Sequence, residues 1–356
     1  MYRSLYTLLA RADAERVHDW TLHGLAWLGR RPLLLGLLRR RLAVADARLA
    51  VRVFGLAFPN PLGVAAGLDK NGVAVRALGS FGWGHVEIGT ATPLPQAGNP
   101  KPRVFRLTAD AALINRMGFP GGGMAAVQHN LQQMRGPRPL LGINIGANKT
   151  QVEAGLAAHD YVAALQTLAP WADYLAINVS SPNTARLRAL QGAAALDALL
   201  AEIVAARAGL ARRVPVLVKI APDLTPAELD ALLEVVLRHG IDGLIATNTT
   251  LARPASLQSP YKTEVGGLSG RPLRERSTAM IRTIHQATNG TLPLIGVGGV
   301  FDAADVWEKL RAGATLVQLY TGFVYGGPLV AWRINQVLLA RLRAEGCRSI
   351  GEIVGG

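Results

Sequence analysis

Leu140-Leu141-Gly142-Ile143-Asn144-Ile145, an amphipathic stretch over 156–169, and then Tyr174-Leu175-Ala176-Ile177-Asn178 decide the fold. The two apolar runs are short and nearly continuous, as strands buried on both faces are, and the stretch between them carries helical spacing. Strand, helix, strand is the result. Working outward, the unit recurs. Further strands are expected at 62–65, 85–88, 216–220, 243–247, 294–297 and 316–319, and helices at 71–79, 191–209, 226–239, 272–288, 302–312 and 327–344. Pro226 after Thr225 marks one helix start. Eight strands with intervening helices predict an α/β chain folded as a (β/α)8 TIM barrel. A doubly wound open sheet competes, but no Gly-x-Gly-x-x-Gly follows the first strand. Residues 90–139 read as an insertion above the barrel mouth and 248–270 as another long functional loop.

Composition narrows the function classes. The chain has 356 residues, half of them hydrophobic and 17% charged, which excludes disordered and low-complexity classes. Cys347 is the lone cysteine, so an intrachain disulfide and any multi-cysteine zinc or iron–sulfur site are out. A net charge of +14 asks for an anionic partner. Residues 1–30 carry charges throughout and lack the layout of a secretory signal. The longest stretch free of Asp, Glu, Lys and Arg, 312–332, is broken by four glycines besides Pro328 and does not read as a membrane span.

The segment 1–52 differs from the rest, with ten arginines against Asp13, Glu15, Asp19 and Asp46. Leu5, Leu8, Leu9, Val17, Trp20, Leu22, Leu25, Trp27 and Leu28 recur at roughly helical spacing, and after Pro32 a second apolar run ends in Arg39-Arg40-Arg41. A helical hairpin extension is expected. Either both helices pack on the barrel beneath a solvated arginine face, or they form an interfacial segment with arginines at lipid headgroups. A nucleic-acid patch is the weaker third reading, for no base-reading motif appears.

Reacting groups of a barrel sit just after its strands. Here these positions hold amides, hydroxyls and two lysines, Lys70 and Lys219, without carboxylate or histidine clusters, so no metal site is expected. Gly298-Gly299 after the seventh strand resembles a phosphate grip built from free backbone N–H groups. Lys219 reads as a cation facing an electron-rich ring, with a Schiff-base lysine as the competing enzyme class.

Four strings carry a resemblance: Asn115-Arg116-Met117-Gly118-Phe119, Ile177-Asn178-Val179-Ser180-Ser181-Pro182-Asn183-Thr184, Ala246-Thr247-Asn248-Thr249-Thr250 and Gly266-Gly267-Leu268-Ser269-Gly270-Arg271-Pro272. In this order they resemble the dihydroorotate dehydrogenase family over essentially the whole chain, with an N-terminal segment similar to that of its quinone-dependent class 2 branch. The resemblance implies a barrel with one FMN per chain that oxidises dihydroorotate to orotate in pyrimidine synthesis. By position it implies that Ala66, Gly67, Leu68, Asp69, Lys70 and Thr90 line the flavin, with Lys70 also reaching substrate. Asn115, Arg116, Met117, Gly118 and Phe119 would contact orotate. Asn144 and Asn178 would meet FMN, Asn178 also touching substrate, and Asn183, Asn248 and Thr249 would complete the substrate's hydrogen bonds. Lys219 and Thr247 would hold the flavin ring; Gly270, Gly299, Tyr320 and Thr321 would hold FMN, chiefly its phosphate.

Ser181 matches the family's catalytic base, with Thr184 a candidate relay behind it. The class 1 branch uses cysteine there, and Cys347 lies far down the chain. The inventory suits a flat ring crowded with carbonyls and ring N–H groups, because asparagine offers both donors and an acceptor. The resemblance further implies residues 1–48 as a membrane-associating, quinone-tunnel segment and 49–356 as the catalytic barrel. Arg106, Tyr320 and His18 would lie along the route of ubiquinone or menaquinone. It also implies a monomer on an anionic membrane surface, the cytoplasmic side of a bacterial inner membrane, with no nucleic-acid partner.

Overall fold

The computed structural model describes residues 2–356, apart from the side chains of Arg3, Ser4, Leu5 and Leu8. Leu5 and Leu8, counted above in the first apolar run, therefore lie outside the described side chains. Eight strands pair in chain order: β1 (Leu62–Val64), β2 (His85–Ala91), β3 (Leu140–Ile145), β4 (Tyr174–Asn178), β5 (Val216–Ile220), β6 (Gly243–Ala246), β7 (Leu294–Val297) and β8 (Leu316–Leu319). Each neighbour is parallel and β8 closes on β1, so the expected (β/α)8 barrel forms. All seven residues of β2 and all five of β4 and β5 are buried, which is why these runs show no alternation. The helices cover the outside with one apolar stripe each. Pro226–Arg238 buries Leu229, Leu232, Leu233, Val235 and Val236, and starts at a capping box between Thr225 and Glu228.

The barrel's amino end is plugged by a hairpin, Val51–Val53 with Leu56–Phe58, turning through Phe54 and Gly55, both at positive φ. It delivers Phe58, 1% exposed, edge-on to His85 inside the barrel. Phe58→Ala is expected to cost about 3–5 kcal/mol, the usual penalty for an aromatic cavity in a packed core. A denaturant midpoint unchanged from the parent would show that the hairpin is not part of the core.

The two stretches read as loops contain a sheet instead. Val104–Leu107 and Gly267–Gly270 flank Ala112–Asn115, all antiparallel, over a separate small core of Phe105, Leu107, Ala112, Ile114, Leu257 and Leu268. Gly267–Gly270 lies some 150 residues from its partner Ala112–Asn115, and even the local pair, Val104–Leu107 with Ala112–Asn115, has strands only four residues long, so periodicity does not reveal the sheet. The last expected helix forms over Val330–Ala344, after Pro328, and is preceded by a short helix the sequence reading lacks, Thr321–Gly326, which ends at Gly327 (φ +78°).

At the N-terminus there are three helices rather than a hairpin of two: α1 (Tyr2–Leu9), α2 (Ala14–Gly29) and α3 (Pro32–Leu42). Asp13 makes the extra break, because its carboxylate caps α2 by accepting from the amides of Glu15 and Arg16. The helices are tied to the barrel by polar anchors. Arg103 forks onto the buried Glu15 of α2, Nη2 at 2.6 Å, and Arg106 donates to Ala12 O at 2.7 Å. Tyr2 OH donates to Val324 O at 2.7 Å. Trp20, Trp27, Leu33, Leu34 and Leu37 stay exposed on the outer side, Leu33 at 88%. Among the described residues no helix is long and apolar enough to cross a membrane.

Candidate active site

The carboxyl ends of the strands open into a pocket roofed by the antiparallel sheet, and most of the strand-end residues singled out above converge there. Ala66 and Gly67 follow β1, Thr90 belongs to β2, Asn178 ends β4 with Ser181 and Asn183 just beyond, and Lys219 lies on β5. Thr247, Asn248 and Thr249 follow β6, Gly299 follows β7, and Tyr320 and Thr321 follow β8. The roof supplies Asn115 and Gly270, and the loop after it Met117, Gly118 and Phe119. β2, β4 and β6 carry Thr90, Asn178 and Thr247 at or just past their carboxyl ends, where these side chains line the pocket.

A hydrogen-bonded layer fixes the floor. Thr90 Oγ1 donates to Asn144 Oδ1 at 2.6 Å, and Asn178 Nδ2 donates to both at 2.9 and 3.0 Å. Asn144 Nδ2 donates to Glu87 Oε1 at 2.9 Å. Tyr174 OH and Gln318 Nε2 donate to Glu87 Oε2 at 2.9 and 2.8 Å. Glu87, Tyr174, Gln318 and His85 form a polar cluster inside the barrel that the sequence reading did not single out. Glu87 and Gln318 interrupt otherwise apolar strands, which alone does not mark a cluster, and both are fully buried. Gly63 and Gly142 make room for it, since a Cβ at either would strike the ring of His85 or Tyr174 at 2.1 Å. Lys219 Nζ lies 3.9 Å from Glu87 Oε1 and donates no hydrogen bond among the described residues. Burial lowers its pKa, opposed by the Glu87 charge.

On the opposite wall, Asn248 Nδ2 donates to Ser180 Oγ at 3.0 Å, and Asn183 Nδ2 to Asn115 Oδ1 at 3.1 Å. Ser181 Oγ accepts from the Asn183 amide at 3.3 Å; no bond joins it to Thr184 among the described residues. Arg188 clamps the Ser181 loop, donating to Ser180 O and Thr249 O at 2.9 and 2.8 Å while pairing with Asp223. The amides of Gly299, Val300, Thr321 and Gly322 donate to no other group among the described residues. These loops are pressed together: a Cβ on Gly322 would lie 1.9 Å from Val300 O.

Five of the expected residues are placed elsewhere. Asn144 sits one layer below the pocket, holding Thr90 and Asn178. The buried Asp69 carboxylate accepts from the amides of Val73 and Ala74, closing the turn into helix Val75–Gly79. Arg116 turns outward, pairing with Glu264 at 2.6 Å over the Phe105 ring. Leu68 and Lys70 face a second cavity, of about 420 Å³, between the N-terminal helices and the barrel mouth. Lys70 Nζ donates to Gly67 O at 2.9 Å, and burial depresses its pKa to about 8. This cavity is lined mostly by apolar residues such as Leu9, Val17, Leu22, Leu25, Leu28 and Phe323, with Glu15, His18, Thr21, Lys70 and Arg106 among the polar exceptions. Burial and the nearby Lys70 charge hold His18 down at about 3, so it is neutral at physiological pH. Val104, Leu113, Met117 and Tyr320 belong to the walls of both cavities.

A family model described as dihydroorotate dehydrogenase matches residues 48–342. The chain belongs to the dihydroorotate dehydrogenase family. It is therefore an oxidoreductase of that family. It is 50% identical to a dihydroorotate dehydrogenase (quinone) of Rhodospirillum rubrum, over 99% of this chain and 94% of the relative. It is 48% identical to the mitochondrial dihydroorotate dehydrogenase (quinone) of Mus musculus, over 91% of this chain and 84% of the relative. The crystal structure of DHODH from Eimeria tenella in complex with ferulenol superimposes with a TM-score of 0.87 at 38% identity, covering 96% and 95% of the two chains.

Proposed function

We propose that the chain oxidises (S)-dihydroorotate to orotate in pyrimidine synthesis, with FMN as the resident acceptor and a membrane quinone, ubiquinone or menaquinone, as the final one. The observation that carries this reading is the pair of cavities meeting at Val104, Leu113, Met117 and Tyr320, one polar and one apolar. An acceptor at that junction would be reached by a polar substrate from one side and a lipid-soluble one from the other.

The residues fit FMN by their donor chemistry. Lys219 is a buried lysine whose Nζ donates no hydrogen bond among the described residues, and the amides of Gly299, Val300, Thr321 and Gly322, likewise unpaired there, would make a nest for a phosphate. When bound, FMN supplies a two-electron acceptor for the hydride leaving C6 of the substrate. Ala66, Gly67, Thr90, Lys219 and Thr247 would hold its ring, and Gly270, Gly299, Tyr320 and Thr321 its tail. Asn115, Asn178, Asn183, Asn248 and Thr249 would satisfy the substrate's carbonyls, ring N–H groups and carboxylate. Ser181 Oγ would take the proton from C5 as its own hydroxyl proton passes to an acceptor behind it, with Thr184 the candidate relay, in a dry site that favours the transfer. The three N-terminal helices would form the mouth of a quinone tunnel at a membrane surface, on a monomer peripheral to the cytoplasmic face of a bacterial inner membrane.

Full-length purified protein is expected to be yellow, to bleach anaerobically with dihydroorotate and to recolour on adding a quinone. A colourless protein trapped by borohydride at Lys219 would overturn the reading. Lys219→Ala is expected to slow bleaching more than it weakens substrate binding and to lower the flavin midpoint potential, because the charge it opposes appears on reduction. An unchanged potential with a raised substrate dissociation constant would assign Lys219 to substrate instead.

A further inference from the structure

Lys309, on helix Ala303–Arg311, is 1% exposed and lies outside the pocket, behind β7. The two carboxylates that act on it, Asp305 and Glu308, are both engaged by Arg274, and Lys309 makes no salt bridge among the described residues. Its Nζ donates instead to two hydroxyls of helix Arg274–Ala287, Ser277 Oγ at 2.5 Å and Thr278 Oγ1 at 3.0 Å. Burying an amine to meet two hydroxyls is costly where an apolar side chain would pack as well. What it achieves lies one bond further on. With a lone pair of Ser277 Oγ occupied by Lys309, the hydroxyl proton is left for Gly298 O at 3.2 Å, the nearer of its two acceptors, Arg274 O lying at 3.5 Å. A trans peptide is planar, with C=O and N–H pointing in opposite directions. Anchoring Gly298 O on the helix side therefore turns the N–H of Gly299 the other way, toward the pocket both glycines line. Both are at positive φ (+121° and +73°), a conformation that needs such anchoring because glycine has many alternatives.

We infer that Lys309 and Ser277 are positioning residues for the flavin phosphate: the chain Lys309 Nζ–H to Ser277 Oγ–H to Gly298 O sets the peptide plane that aims the Gly299 amide at it. The inference rests on the proposed phosphate grip after β7 and β8. Neither side chain touches the phosphate; both act through the backbone, and either protonation state of Lys309 supplies the N–H required. Thr278 Oγ1, which donates to Arg274 O at 2.9 Å, holds the amine's second contact in place.

The test uses phosphate as the variable. Full-length holoenzyme is equilibrated with mixtures of FMN and riboflavin, free flavin is removed, and the bound species are quantified by chromatography. The parent protein is expected to prefer FMN strongly. Ser277→Ala, which removes a single oxygen, and Lys309→Met should each lower that preference at least tenfold with riboflavin occupancy unchanged. Because the two act in series, the double variant should lose no more than the worse single one. A parent preference retained in Ser277→Ala, equal loss of both flavins, or additive losses in the double variant would each overturn the relay. A parent protein that does not distinguish the flavins would overturn the phosphate grip itself, and the relay with it.

Discussion

Ser181→Ala is expected to slow anaerobic bleaching of the bound flavin by dihydroorotate by about 10²–10⁴-fold, the usual cost of losing a general base, with flavin content unchanged. The loop that carries Ser181 is over-determined. Arg188 holds Ser180 O on one side and Thr249 O on the other, and Asp223 fixes the guanidinium. Removing the Ser181 hydroxyl breaks one bond among the described residues, from the Asn183 amide, so the pocket should keep its shape. That bond also matters to the chemistry, because it occupies one lone pair of Oγ and leaves the other to receive the C5 proton as the hydroxyl's own proton departs. Ser181 is only 4% exposed, which keeps water from competing for the substrate's C5 proton. Partial recovery at high pH is expected if hydroxide reaches the same position, and Ser181→Cys should retain some activity with a shifted pH optimum. A reduction rate in the alanine variant close to that of the parent would remove Ser181 from the mechanism.

The sequence shows the barrel almost completely, because doubly buried parallel strands lose their alternation and stand out as apolar runs. Asn178, Lys219 and Thr247 were findable for the same reason, being polar groups where such runs stop. Glu87 was not. A carboxylate in mid-strand reads as an interruption until His85, Tyr174 and Gln318, from β2, β4 and β8, are seen around it. The roof failed differently, since its strands are only four residues long and one partner of the strand carrying Asn115 begins as far away as Gly267. Arg116 and Asp69 show the limit of transferring roles by position. Their backbones belong to the right loops, but Glu264 captures one side chain and the amides of Val73 and Ala74 the other. Only the three-dimensional arrangement could place Lys309 beneath Gly298, through a hydroxyl on a third element.

Deleting residues 1–45 is expected to leave dihydroorotate oxidation intact and to slow reoxidation by a long-chain quinone at least a hundredfold. The cut falls ahead of Asp46, which stays to cap the turn Ala47–Leu49 and pair with Arg48 and Arg343. Every residue proposed above for FMN or orotate lies after it. Arg103 loses Glu15 but keeps Ala97 O and Asn99 O, at 2.6 and 2.8 Å, so its loop retains two anchors. What disappears is one wall of the apolar cavity, Leu9, Val17, Leu22, Leu25 and Leu28, leaving Tyr320 and Phe323 open to water. A long isoprenoid tail then has nothing to lie against, and a water-soluble acceptor should work as well as before.

The same segment carries eight arginines against three carboxylates, beside the exposed Trp20, Trp27, Leu33, Leu34 and Leu37. Intact protein should therefore co-sediment with anionic vesicles, more weakly as salt rises, and the truncated protein should not. Intact protein that ignores such vesicles at low salt would leave α1 to α3 as a packed cap with a solvated arginine face. Rapid reoxidation of the truncated protein by long-chain quinone would instead move the quinone's route away from the cavity that Tyr320 and Met117 share with the polar pocket.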